Sequence, residues 1–196
     1  QEYNCYEKDH HASERDHQID VSHMKVAVSF EVEKGIVNGK VEHTFTSLRE
    51  KIDTLFFDAP GITIHKAQYN GKKVKFSLND QGVVIHFAKP ITWNNTHNIT
   101  FEYTARPRKG LYFIGWNAPE AKDKKTMTRR QIWTQGQGID NRHWIPMYDD
   151  MGDKFYTETI ITFDKNYKVL SNGDLLSKKD DKNGNTKWHY RLNNPH

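Results

Sequence analysis

Ile19-Asp20-Val21-Ser22-His23-Met24-Lys25-Val26-Ala27-Val28-Ser29-Phe30-Glu31-Val32 is the run that decides the fold. Ser22, Met24, Val26, Val28, Phe30 and Val32 alternate with Val21, His23, Lys25, Ala27, Ser29 and Glu31. The first set is apolar apart from its serine. A period of two places that set on one side of an extended chain, so the run predicts a long strand with one buried face. Its β-branched residues suit a pleated, half-buried surface.

The same signal continues on both sides of a turn at Lys34-Gly35. Val37 to Ser47 reads as a second strand without strict alternation, and the two runs form a hairpin. Ile52 to Ala59 is a third strand, closed by Pro60-Gly61. Ile62 to Tyr69 is a fourth, and Asn70-Gly71 is the strongest hairpin signal in the chain, leading into Val74 to Leu78. Val83 to Phe87 follows, with Pro90 expected to end it, and then Ile99 to Ala105, with Phe101 and Tyr103 on one face. Gly110 to Phe113 and Arg129 to Gln135 have strand character, and Ala118 to Thr128 between them reads as a protruding charged loop. Phe155 to Phe163 and Tyr167 to Leu176 are expected to pair through Asp164-Lys165-Asn166. Thr186 to Leu192 is the last strand, with Trp188 and Tyr190 opposite His189 and Arg191. No helix of ordinary length is predicted. Strands recurring about every ten residues, with turn signals between them, point to an all-β sandwich or curved sheet.

Composition narrows the function. Lysine and arginine number 29 against 25 acids, a net charge of +4. The charges are interspersed, as in Lys122-Asp123-Lys124-Lys125 and Lys178-Lys179-Asp180-Asp181-Lys182. That is the pattern of solvated turns rather than of a stripe that tracks phosphates, so no nucleic-acid partner is expected. Cys5 is the only cysteine, which excludes an intrachain disulfide and a cysteine zinc cage. No apolar run approaches a membrane span. An opening glutamine in place of methionine gives a hint of processing and export, to periplasm or exterior.

Catalytic signatures are missing. The chain has no H-E-x-x-H, G-x-S-x-G, P-loop or G-x-G-x-x-G. His11 and Glu14 approach an inverted zinc motif, but Arg15 stands where its second histidine belongs. Asp149, Asp150, Gly152 and Asp153 resemble part of a calcium loop without its closing glutamate and read as a capped turn. Asn94-Asn95-Thr96 and Asn98-Ile99-Thr100 match glycosylation acceptors. Trp93, Trp116, Trp133, Trp144 and Trp188 fill a core or stack on sugars.

The least generic stretch is Gln131 to Asp149, QIWTQGQGIDNRHWIPMYD. Gly136 and Gly138 interrupt a strand and allow close approach of backbone. Gln135 and Gln137, two apart, share a face of extended chain. Their uncharged amides either donate and accept toward a peptide or amine, or satisfy local backbone in a bulged strand.

Thr134, Gln135, Gln137, Arg142, Pro146 and Asp149 together resemble a segment of zinc aminopeptidases of the aminopeptidase N and leukotriene-A hydrolase type. That segment runs Thr-Gln, a variable residue, Glu or Gln, then an Arg and an aromatic-Pro-Cys-x-Asp ending; Met147 replaces the cysteine here. His17 to Met24 resembles the family's Asp-Val-x-His-Tyr opening, and Ile36 to Phe45 its next strand. Arg106 to Tyr112 resembles its Gly-Leu-Tyr strand, and Val169 to Gly173 its Ser-Asn-Gly ending. The resemblance runs in order from about His17 to the C-terminus.

It implies a saddle-shaped β-sandwich of antiparallel strands over residues 17–196, behind a polar, flexible lead-in over residues 1–16. Such a domain precedes a thermolysin-like catalytic domain that carries G-x-M-E-N and H-E-x-x-H, none of which is in this chain. The implied parent is a zinc metallo-aminopeptidase that removes N-terminal residues from peptides. The resemblance implies no catalytic residue and no metal ligand here, the zinc ligands lying outside this chain. It places Gln137 in the pocket for the substrate's first residue and α-amine, Gln135 in support, and Arg142 in ordering the loop. The expected partners are a peptide with a free N-terminus and the enzyme's own catalytic domain. A glutamine in place of glutamate weakens selection for an amine. The competing reading is a stand-alone carbohydrate- or protein-binding module.

Overall fold

A computed structural model describes residues 16–93, 95–116, 129–150 and 152–196. The expected lead-in up to residue 15, the near-motif at His11 and the loop from Ala118 to Thr128 lie outside the described residues. Among the described residues thirteen strands follow one another, with no helix beyond two short 3₁₀ turns. They are β1 (Ile19–Glu31), β2 (Ile36–Ser47), β3 (Ile52–Asp58), β4 (Ile62–Tyr69), β5 (Lys72–Lys73), β6 (Lys75–Asn79) and β7 (Gly82–Ile91). Then come β8 (Thr96–Ala105), β9 (Leu111–Ile114), β10 (Gln131–Thr134), β11 (Tyr156–Asp164), β12 (Asp174–Asp180) and β13 (Asn185–Leu192). Eight strands make one sheet in the order β12-β13-β11-β1-β2-β8-β4-β5. A three-stranded sheet, β3-β7-β6, and a two-stranded hairpin, β10-β9, complete the fold. The all-β expectation holds. Every strand pair is antiparallel except β1 with β11, which is parallel.

β1 departs from simple alternation at its start. The register against β2 shifts between Val21 and His23, leaving Ser22 as an extra, bulged residue. Val21 therefore joins Met24, Val26 and Val28 on the buried face, and Ser22 is exposed. The Ser22 hydroxyl donates to the Thr44 carbonyl at 3.1 Å. β2 is more regular than its residue types suggest. Val37, Val41, His43, Phe45 and Ser47 all point into the core. At the remaining inward position, Gly39, a Cβ would lie 2.2 Å from Cζ of Tyr103, so only glycine leaves room for that ring. The alternation was hidden in the sequence because a histidine, a serine and a glycine occupy inward positions.

The hairpin at Asn70-Gly71 forms as read. Both residues have positive φ, 47° and 77°, the geometry of a type I′ turn. Val74 then carries the chain across to the small sheet. β7 runs through Pro90 to Ile91, against expectation. The β3–β7 register breaks between Ile52 and Thr54, so Ala88 to Pro90 sit exposed outside the ladder and the missing proline N–H forfeits no bond.

Tyr167 to Leu176 does not pair with β11. That strand already has β1 on one side and β13 on the other. The segment instead turns at Asp164, and the Tyr190 hydroxyl holds it at the Val169 carbonyl, 2.7 Å away. The strand there is β12, which takes in Lys178 to Asp180, expected as turn.

The core lies between the two larger sheets. Phe57 of the small sheet packs edge-on against Phe101 of the large one at 5.1 Å between centroids and lies 5.2 Å from His43. Phe45, Leu55, Val83, Ile85 and Ile99 are fully or almost fully buried around them. Each such side chain contributes about 1.5–3 kcal/mol by leaving water.

Candidate functional site

The Gln131 to Asp149 stretch starts as a strand and ends inside the core. β10 pairs with β9 from Gln131↔Ile114 to Thr134↔Leu111, and the Gln135 N–H extends the pairing to the Gly110 carbonyl at 2.9 Å. Gly110 has φ 76°, and a Cβ there would meet the Asp140 carbonyl oxygen at 2.1 Å. At Gly136 a Cβ would meet the Asn141 amide at 2.1 Å. Glycine at these two places lets the chain fold back onto itself. Gln135 and Gln137 emerge from the fold-back exposed, and neither side chain makes a hydrogen bond among the described residues. Gln137 opens the turn that Gly138 completes.

The returning arm is fixed. Asp140–His143 form a single 3₁₀ turn, and the Asn141 carbonyl accepts from the N–H groups of both Trp144 and Ile145 at 3.1 Å. The Asn141 side-chain oxygen accepts from Trp144 Nε1 at 3.2 Å. Trp144 to Tyr148 are buried. Arg142 donates from Nε to Asp149 Oδ2 at 2.7 Å, and its Nη1 lies 3.1 Å from Asp58 Oδ1. Asp58 and Met147 exchange backbone bonds of 2.8 and 3.0 Å, and the Asp149 N–H donates to Asp58 Oδ2 at 3.2 Å. The arm is thus pinned to the end of β3 by one guanidinium between two largely buried carboxylates.

The large sheet holds it from the other side. His43 of β2 lies 2.8 Å from the Pro146 carbonyl through Nε2. A carbonyl only accepts, so Nε2 carries a proton. Burial drives the His43 pKa down from 6.5 to about 4, opposed by the bond to Pro146 and assisted by the charge of His23. Its Nδ1 has no partner among the described residues. Asp58, His43 and Asn141 did not stand out in the sequence, and Gly110 did so only as the glycine of the Gly-Leu-Tyr strand. The signal that could have found His43 is its even spacing from Val37, Val41 and Phe45, which puts all four on one face of β2.

The acidic turn is a turn. Asp150 Oδ1 caps the Gly152 N–H at 2.8 Å, and Asp153 Oδ2 accepts the Val21 N–H at 3.0 Å. Burial pushes the Asp153 carboxyl up. Among the described residues no group of three or more His, Cys, Asp or Glu could hold a metal ion. No helix among them is long and apolar enough to cross a membrane. Trp144 and Trp188 are core residues, whereas Trp93 and Trp133 are exposed.

A model of the peptidase M1 N-terminal domain matches residues 16–196. The chain belongs to that family. It is 26% identical over 165 residues to a leucyl aminopeptidase of Saccharolobus solfataricus, covering 83% of this chain and 19% of that protein. An M1 zinc metallopeptidase from Deinococcus radiodurans shares the fold with TM-score 0.74 and 16% identity, over 91% of this chain and 40% of that one. Native yeast LTA4 hydrolase does so with TM-score 0.72 and 18% identity, over 91% and 27%. This M1 N-terminal domain therefore spans about a fifth of the curated relative's length. It corresponds to the non-catalytic N-terminal portion of the M1 fold.

Proposed function

We propose that this M1 domain belongs to a zinc-dependent aminopeptidase and shapes the pocket that receives the amino end of a peptide. The observation that carries the reading is the pair Gln135 and Gln137, exposed and with side chains that make no hydrogen bond among the described residues, on a loop anchored to both sheets. A loop ordered before binding loses little entropy when a ligand arrives. The Gln137 amide oxygen can accept from a substrate ammonium group, more weakly than a carboxylate would. Gln135 supports it, and Arg142 orders the loop through Asp58 and Asp149.

The described side chains offer no zinc site, and in this reading the zinc ligands belong to a catalytic domain that packs beside this one. The residues here bind and orient. The test is Gln137→Ala in the full-length enzyme. The expected result is a KM raised roughly tenfold to hundredfold, the cost of about one hydrogen bond to a charged group. Thermal stability should not change, since Gln137 is exposed. An unaltered kinetic profile across several aminoacyl substrates would remove Gln137 from the pocket.

A further inference from the structure

A second surface lies on the β9 hairpin, and it is independent of the amino-end pocket. A groove of about 520 Å³ runs between the turn after β1 and the strand β9. Lys34, Arg106 and Arg108 supply its charge, and Tyr112, Phe113 and Trp116 its apolar wall. No acidic residue lines it among the described residues. The segment from Arg106 to Trp116 carries Arg106, Arg108 and Lys109 and no acid at all. Lys34 is paired with Glu31 at 2.7 Å, while Arg106 and Arg108 are exposed and form no ion pair among the described residues. The Glu31 carboxyl is held low by bonds from Lys34 and Asn38, and the charges of Lys34 and Arg106 add to this.

The aromatic wall decides what fits. Tyr112 is stacked on Trp133 at 4.7 Å. Trp116 packs against Phe163 and Tyr167 at 5.9 and 5.4 Å and donates its Nε1–H to the Gln131 carbonyl. Tyr112 thus gives one ring face to Trp133, and Trp116 is packed among Phe163 and Tyr167, so fewer open ring faces remain for successive bases, which disfavours a single-stranded nucleic acid. What remains is an apolar wall beside two guanidinium groups, each able to take a carboxylate in a two-pronged bond. We propose that this groove binds an acidic peptide segment, with Arg106 and Arg108 on its carboxylates and its apolar side chains along Tyr112 and Phe113.

The probe is a fluorescent peptide, Glu-Phe-Glu-Glu-Phe-Glu, acetylated at its amino end and amidated at its carboxyl end, titrated with the full chain at low salt. Blocking the amine keeps it out of any site that reads a free N-terminus. The expected result is saturable binding that weakens with salt. A peptide with glutamine for glutamate should bind poorly. The double variant Arg106→Gln/Arg108→Gln should bind about tenfold more weakly, two exposed charge pairs contributing up to about 1 kcal/mol each. Arg108→Glu should weaken it as well, and Gln137→Ala should bind as the parent does. Equal binding of the two peptides, or an unaffected double variant, would overturn the proposal. So would loss of binding in Gln137→Ala, which would move the peptide to the loop. Tighter binding of a thymidine oligonucleotide through the same two arginines would overturn it in favour of nucleic acid.

Discussion

His43 makes the stability of this domain depend on acid in a way that can be worked out in advance. The ring is buried and neutral, with a folded pKa of about 4 against 6.5 for an exposed histidine. Above pH 6.5 neither the folded nor the unfolded chain protonates it, and its contribution is complete. Between pH 6.5 and about 4 the unfolded chain takes up a proton that the folded chain refuses, so stability falls as the pH falls. At 1.36 kcal/mol per pKa unit the whole shift corresponds to about 3 kcal/mol, of which about 2 kcal/mol is lost by pH 5. His43→Gln keeps a donor for the Pro146 carbonyl but cannot titrate. Urea unfolding of both proteins at intervals from pH 7.5 to 5 isolates the effect, because His23, Asp153 and Glu158 titrate in each. The comparison is of slopes with pH, whatever the starting stability of the variant. The parent should lose about 2 kcal/mol more than His43→Gln between pH 7 and 5. Parallel curves would mean that the ring is not buried neutral, and the docking of Pro146 on β2 would fall with it.

Three further outcomes are expected. Arg142→Met takes away the guanidinium that bridges Asp58 and Asp149 in a largely buried site, and should cost about 3 kcal/mol in urea unfolding. A loss under about 1 kcal/mol would show that the guanidinium is not what pins the loop. Gly39→Ala drives a methyl group into the Tyr103 ring and should lower stability by about 2 kcal/mol. An unchanged melting temperature would contradict the β2–β8 register. The chain by itself should neither turn over an aminoacyl anilide nor carry stoichiometric zinc; turnover that a chelator abolishes would overturn that expectation.

The sequence was legible where the signal is local. The strand spans, the Gly35 turn and the type I′ turn at Asn70-Gly71 follow from period and turn chemistry within a few residues. It misread Tyr167 to Leu176 because strand character does not say whether a neighbouring edge is free. It misread Pro90 because the cost of a proline depends on whether its position is inside the ladder. In the loop, the glutamines stood out by type and spacing. Arg142 stood out through the resemblance, but the groups that anchor the loop with it did not, since an aspartate at the end of β3 and a histidine in β2 are ordinary until the chain is folded.

By itself, then, the sequence determined an all-β chain, the order of its turns and, through the Thr134 to Asp149 motif, its resemblance to the M1 peptidases. Tertiary structure decided the parallel pairing of β1 with β11, the bulge at Ser22, and the meeting of Arg142 with Asp58 and of His43 with Pro146. Periodicity is written into each segment by backbone geometry, which needs no partner. The hydrogen bonds that anchor the loop join atoms far apart in the chain, and they exist only once two sheets have packed and excluded water between them.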